Sequence, residues 1–162
     1  MSLFHTKGDL LALAEAGKFD IIVHGCNCQH TMGSGIAKQI KDNYPEAFRV
    51  DYEYDLLLQS TRYLKLGNFS KTKVFSKSNF TIVNAYTQFN YLPRGVDHFE
   101  YASFAVILQK LEHFYGNYDF GFPYIGMGLA GGDSERIFDM LEEFASLVEK
   151  KSGTVTIVEY EA

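Results

Sequence analysis

Along the chain, short unbroken apolar runs alternate with stretches whose apolar residues recur at intervals of three and four. The first kind marks strands buried on both faces, and the second marks helices with one buried stripe. Residues 2–7 predict a first strand. Asp9 precedes Leu10, Leu11, Leu13 and Ala14 and predicts a helix N-cap, and Gly17 predicts that helix's end. Residues 19–26 (FDIIVHGC) hold Ile21, Ile22 and Val23 in one run and predict a buried strand. After Gly33, Ser34 and Gly35, the spacing of Ile36, Ala37, Ile40 and Tyr44 predicts a helix. Pro45 marks its end or a turn into 46–58. Residues 66–75 and 80–85 (FTIVNA) predict strands. Phe104, Ile107, Leu108 and Leu111 form a helical stripe within 97–115. Residues 118–126 predict a strand that runs into a glycine-rich loop. Ile137, Met140, Leu141, Phe144 and Leu147 predict a helix over 133–150, and 155–160 a closing strand. Such alternation implies an α/β layered fold.

Composition narrows the classes. At 162 residues one core suffices without staples, and no linker or repeat divides the chain, so a single domain spanning 1–162 is expected. The formal net charge of -5 argues against bulk nucleic-acid binding, which needs a basic surface. It leaves open the capture of one small anion by backbone amides. No apolar run reaches the roughly 18 residues of a membrane span. Cys26 and Cys28 flank one residue at a strand end and are poorly placed to pair with each other. Two such cysteines without a signal segment suggest a reducing, cytoplasmic setting. A monomer without cofactor is expected. His5, His24, His30, His98 and His113 are dispersed, and C-x-C alone is a weak zinc signal, so no metal site is expected.

The chemistry concentrates in two loops. Strand, glycine loop and helix follow one another at 26–36 and again at 126–133. Each loop opens onto a helix N-terminus, where unpaired N–H groups and the helix dipole favour an anion. Glycine lets the backbone approach a ligand closely. Either loop alone reads more readily as a tight strand-to-helix turn. Neither is a Walker A loop, since no Gly-Lys-Ser/Thr follows, and GSGIAK lacks the third glycine of a dinucleotide fingerprint.

Taken in order, Gly8–Asp9, IVHGCNC, MGSGIA and PYIGMGLAGG resemble the macro domain family over essentially the whole chain. The segment HGCNC…GSGIAKQI…YPEA is especially similar to that family's yeast phosphatase branch, and GMGLAGGD to phage and bacterial members. The resemblance implies a three-layer α/β/α fold with a central mixed sheet. It also implies ADP-ribose or ADP-ribose 1''-phosphate as ligand, bound across the carboxyl ends of the central strands.

Residue by residue, the resemblance implies that Asp9 accepts the adenine amino group, with the Leu10 amide facing a ring nitrogen. A carboxylate can only accept and the amine donates, so the pairing is sound. Asp9 as a plain helix cap is the competing role. Asn27 matches the Asn that orients the distal ribose, and could instead hold its own loop. Gly33, Ser34, Gly35 and Ile36 match the first phosphate loop. Gly126, Met127, Gly128, Leu129 and Ala130 match the second. Tyr160 is the candidate to stack on adenine, although relatives carry that ring one residue earlier, at Glu159.

His24 matches a histidine for which the phosphatase branch suggests a catalytic role, as general acid or base. A satisfied core histidine is the competing role. Asp133 reads as the N-cap of its helix, and alternatively as a carboxylate that activates water. His30 lies within the first loop and has no family match. The expected activity is hydrolysis of the 1''-phosphate of ADP-ribose 1''-phosphate. The alternatives are an ADP-ribose-binding module without turnover, and a hydrolase that removes ADP-ribose from a macromolecule. The family branch that acts through a lysine carries Asp directly after the second loop's Gly-Leu. Ala130 stands there, and 84–99 holds no lysine, so that chemistry is not expected.

Overall fold

The computed structural model describes residues 2–93 and 96–161. In chain order the elements are β1 (Leu3–Gly8), α1 (Leu10–Glu15), β2 (Ile21–Asn27), α2 (Gly35–Asn43), α3 (Pro45–Leu58), a 3-10 segment (Gln59–Lys65), β3 (Phe69–Phe75), β4 (Asn79–Gln88), α4 (Tyr101–Tyr115), β5 (Asp119–Phe122), α5 (Ser134–Lys150) and β6 (Thr154–Tyr160). The six strands form one sheet in the order β1-β6-β5-β2-β4-β3. Only β3 runs antiparallel to its neighbour, so the sheet is mixed.

The period of two along each strand builds the layers. Ile21 and Val23 of β2 pack with Phe104, Leu108, Ile137 and Leu141 of α4 and α5. Ile22, between them, packs with Leu10, Ile40 and Ala47 of α1, α2 and α3. Both faces are therefore covered, giving the three-layer α/β/α architecture. On β5, Phe120 and Phe122 meet the Phe144 ring edge-on at 5.2 and 5.9 Å between centroids. Gly121 faces the other layer, where a Cβ would come within 2.6 Å of the Phe19 ring. That ring lies against the β5 backbone and excludes any side chain at 121. The outer strand β3 exposes Lys71 and Lys73, charges that discourage further strand addition.

Several element bounds differ from expectation for identifiable reasons. The helix expected from 97 starts at Tyr101. The amides of His98 and Phe99 donate to the Ala130 carbonyl at 2.8 and 3.1 Å, and that of Glu100 to Thr87 O at 2.7 Å. Those amides tie three residues to the second glycine loop and to β4 instead of to a first turn. The strand expected over 118–126 ends at Phe122, before Pro123. Strand β4 continues past 85 to Gln88 beside β2. The 3-10 segment carries Lys65 into the interior, a position that a charged residue does not announce. Among the described residues no helix is long and apolar enough to cross a membrane.

Candidate functional site

Because β2 pairs directly with β5, the segments that leave their carboxyl ends lie side by side. The first runs from Asn27 to the start of α2. Asn27 Oδ1 accepts from the Gln29 amide at 2.8 Å, and its Nδ2 donates to Thr31 Oγ1 at 2.7 Å. This turn closes the loop on itself. Met32 is buried with Cys26, Cys28 and Tyr86, which fixes the loop's middle. His30 adopts φ 57°, bonds Asp51 Oδ2 through Nδ1 at 3.0 Å, and stacks on Phe48 at 4.1 Å between centroids. The glycines beyond are free of these ties. Gly35 has φ +58° and nothing within 4 Å of where a Cβ would stand. Ser34 occupies the N-cap of α2 without spending its hydroxyl on a cap. The opening amides of α2 therefore face the solvent side, available to an anion.

The second loop is more rigidly seated. Gly126 has φ +74°, and a Cβ there would fall 2.5 Å from the Phe99 ring. Gly132 donates to Gly126 O at 2.7 Å and Gly131 to Gly128 O at 3.0 Å, while Ala130 O receives His98 and Phe99. The loop is thus folded down onto 97–99, and its tip, with Leu129, projects outward.

Between the loops runs a cleft of about 650 Å³, whose floor includes Gly25, Cys26 and Asn27. One wall is Gly33–Ala37, the other Gly128–Ala130, with Gln88 and Tyr91 at the end nearest β4. A second cavity of about 450 Å³ is lined by Gly8, Leu10, Gln39, Tyr124, Val158 and Tyr160. Gly35 and Ile36 line both, so the two adjoin at the start of α2 and follow one another as a trough along the carboxyl ends of the strands.

No protein-family model matches the chain. Over 166 aligned residues it is 33% identical to an uncharacterized 17.5 kDa protein of the tk-vs intergenic region of Enterobacteria phage T4. The alignment covers 99% of this chain and 98% of that one. It is 27% identical to an ADP-ribose 1''-phosphate phosphatase of Lodderomyces elongisporus, across 91% of this chain and 95% of the relative. Its fold matches a macrodomain protein from Streptomyces coelicolor with a TM-score of 0.72 at 17% identity, covering 99% of each chain. It also matches Thermosipho africanus DarTG in complex with ADP-ribose, with a TM-score of 0.73 at 15% identity, covering 98% of this chain and 42% of that one. The chain has the macro domain fold.

Within this macro domain, the trough brings together most of the expected ligand-binding residues. Asn27, Gly33, Ser34, Gly35, Ile36, Gly128, Leu129 and Ala130 line one part, and Leu10 and Tyr160 the other. Gly126 and Met127 support the second loop from behind its tip, with Met127 packed on the core. Asp9 caps α1, its Oδ1 accepting from Leu11 N at 2.9 Å and Ala12 N at 3.2 Å. Gln39, Gln88, Tyr91, Tyr124 and Thr31 join the lining without having been expected. Gln39 alone had a legible signal, since it stands one helical turn after Gly35.

The two expected catalytic residues do not line the trough. His24 is 1% exposed and turns, like Ile22, toward α3. Its Nε2 lies 2.6 Å from Asn84 Oδ1, and Asn84 Nδ2 donates onward to Ala47 O at 2.9 Å. Burial lowers its pKa to about 4, so near neutrality the ring is uncharged. Asp133 caps α5, accepting from Arg136 N at 3.2 Å, and is exposed. Both side chains take the structural role that competed with catalysis. The thiols are no better placed as nucleophiles. Burial pushes Cys26 well up and Cys28 to about 12, which keeps both protonated. Among the described residues no group of three or more His, Cys, Asp or Glu could hold a metal ion.

The buried imidazole makes an acid-stability prediction. Its folded pKa lies below the usual 6.5, so between about 6.5 and 4 the unfolded chain binds the extra proton. Stability supplied by neutral His24 is complete above 6.5 and is lost as pH falls toward 4. The loss amounts to about 2–3 kcal/mol by pH 4.5. Urea unfolding at pH 7 and 4.5 should show a smaller acid loss in His24→Gln than in the parent. Equal losses in both proteins would contradict the assignment.

Proposed function

We propose that this macro domain binds ADP-ribose along the trough and hydrolyses the 1''-phosphate of ADP-ribose 1''-phosphate. The single observation behind the reading is that the two cavities adjoin at Gly35 and Ile36, with a loop-and-helix terminus on one wall of the larger cleft and a glycine loop on the other. Adenine would sit against Tyr160 and Tyr124, its amino group on the second oxygen of Asp9 and a ring nitrogen on the Leu10 amide. The diphosphate would lie over Gly33–Ile36, where the N-terminus of α2 favours negative charge. The backbone of Gly126–Ala130 would close over it. The distal ribose would then reach Asn27 and the end of β4. The named activity of the Lodderomyces relative supports phosphate hydrolysis. In this reading His24 contributes as a positioning residue that fixes the end of β2, and Asp133 sets the start of α5 below the second loop.

A second reading, binding without turnover, is favoured by one observation. His24 faces away from the trough and Asp133 is spent on a cap, so neither expected acid or base meets the distal end. Calorimetry with ADP-ribose and ADP, beside a phosphate-release assay on ADP-ribose 1''-phosphate, separates the two. Phosphate release supports the enzyme. Binding with no release supports the module, and no binding at all defeats both. Asp9→Asn sharpens the ligand pose. The amide keeps the capping oxygen, so the melting temperature should hold within about 2 °C. Its NH2 would meet the adenine amine donor to donor, and ADP-ribose affinity should fall about tenfold. Unchanged affinity would leave Asp9 only its cap.

A further inference from the structure

Beneath the cleft, where β2 and β4 part, one hydroxyl stands without a partner. Along these strands His24 pairs with Asn84, Gly25 with Ala85 and Cys26 with Tyr86, but Asn27 pairs with Gln88. Thr87 is the extra residue of a β-bulge, a device that re-aims a side chain and recurs beside active sites. Thr87 is 1% exposed, and its Oγ1 has no hydrogen-bond partner among the described residues. Its carbonyl is engaged by the Glu100 amide, so the backbone there is fixed while the hydroxyl is unspent.

The direction of that hydroxyl matters. A Cβ built at Gly25 would lie 3.0 Å from Thr87 Oγ1 and 3.3 Å from Ile125 Cγ1. Gly25 itself is part of the cleft floor. The missing side chain at 25 therefore leaves the buried hydroxyl just beneath the floor, with only the Gly25 backbone on that side. A threonine that only filled this space would carry a desolvation penalty that valine, of the same shape, would not. The bulge, the orphaned hydroxyl and the glycine beside it together point to an oxygen acceptor in the cleft.

We infer that Thr87 is a positioning residue for the distal ribose. Its hydroxyl donates a hydrogen bond past Gly25 to a ribose oxygen, directly or through one water. This rests on the reading of the trough as an ADP-ribose site. It adds a residue that distinguishes ADP-ribose from ADP, which lacks the second sugar. The cleft of this chain thereby recognises the sugar from the β4 side as well as from Asn27.

Calorimetry with ADP-ribose and with ADP on the parent, Thr87→Val, Thr87→Ser and Thr87→Ala tests the inference. Thr87→Val should melt at or above the parent temperature, because an unpaired buried hydroxyl has gone. It should bind ADP-ribose about tenfold more weakly while ADP affinity stays within twofold. Thr87→Ser should restore ADP-ribose binding, and Thr87→Ala should repeat the loss should the valine pack badly. Parent-like ADP-ribose affinity in both Val and Ala variants overturns the role of Thr87 and leaves the trough assignment standing. An equal loss of ADP and ADP-ribose also overturns it, as does a parent that binds ADP-ribose no better than ADP. A parent that binds neither nucleotide defeats the trough assignment itself, and this inference with it.

Discussion

Lys65→Met is expected to destabilise the fold by about 3–5 kcal/mol, although the residue touches no part of the trough. Lys65 is fully buried, with its Nζ 2.9 Å from Asp51 Oδ1 and 3.7 Å from Asp55 Oδ1. It also lies 4.6 Å from the centre of the Tyr86 ring. Asp51 is 1% exposed and receives three groups: this ammonium, the Tyr86 hydroxyl at 2.6 Å and His30 at 3.0 Å. Methionine fills the volume but leaves the Asp51 charge inside without its cation. A buried ion pair adds little over a well-packed apolar pair, whereas half of one is costly. In a chain of this size the loss corresponds to a fall in melting temperature of about 10 °C. The double variant Lys65→Met with Asp51→Asn should recover much of it, because the stranded charge is gone. A single-variant loss below about 1 kcal/mol would show that water or another cation reaches Asp51. The network also bears on function. His30 sits in the first loop, so whatever loosens Asp51 loosens the segment that leads to Gly33–Ile36.

That network shows where sequence reasoning reaches and where it stops. The apolar runs of β2 and β4 are legible because both faces of a parallel strand are buried, which removes polar alternation. The glycine loops are legible because Gly35 and Gly126 occupy positive φ, and Gly126 sits against a ring, conditions that few other residues meet. Lys65 is not legible. A lysine reads as surface unless its partners are known, and Asp51 and Tyr86 come from α3 and β4. The role of His24 turns on which face of β2 it takes. Counting from Ile22 assigns it to the α3 layer, but sequence alone could not say which layer forms the cleft wall. Thr87 depends on a bulge, which inserts one residue into the register without any composition signal. Gln88, Tyr91 and Tyr124 join the lining because β4, β2 and β5 are neighbours, and strand order is not written in local spacing.

The largest expected effect on binding belongs to Gly128→Leu. The two loops contain glycines of opposite kinds. Gly126 is needed by the fold: positive φ and the Phe99 ring both forbid a side chain there. At Gly128 the backbone is outside the left-handed region, and nothing lies within 4 Å of a Cβ built there. The space is open because Gly128 faces the cleft. A leucine at 128 is therefore expected to fold with a melting temperature within about 3 °C of the parent, a change of about 1 kcal/mol. Its side chain would occupy the passage where the diphosphate meets the second loop. A ligand displaced from those amides loses several hydrogen bonds to a charged group, each worth about 1.5–3 kcal/mol. ADP-ribose affinity should fall at least a hundredfold, about 3 kcal/mol, as read by calorimetry. Gly126→Leu supplies the contrast, losing stability and binding together. Parent-like binding by a folded Gly128→Leu protein would mean that the ligand does not pass between the loops. In that event Gly35 and Ile36 would join two cavities that no single ligand spans.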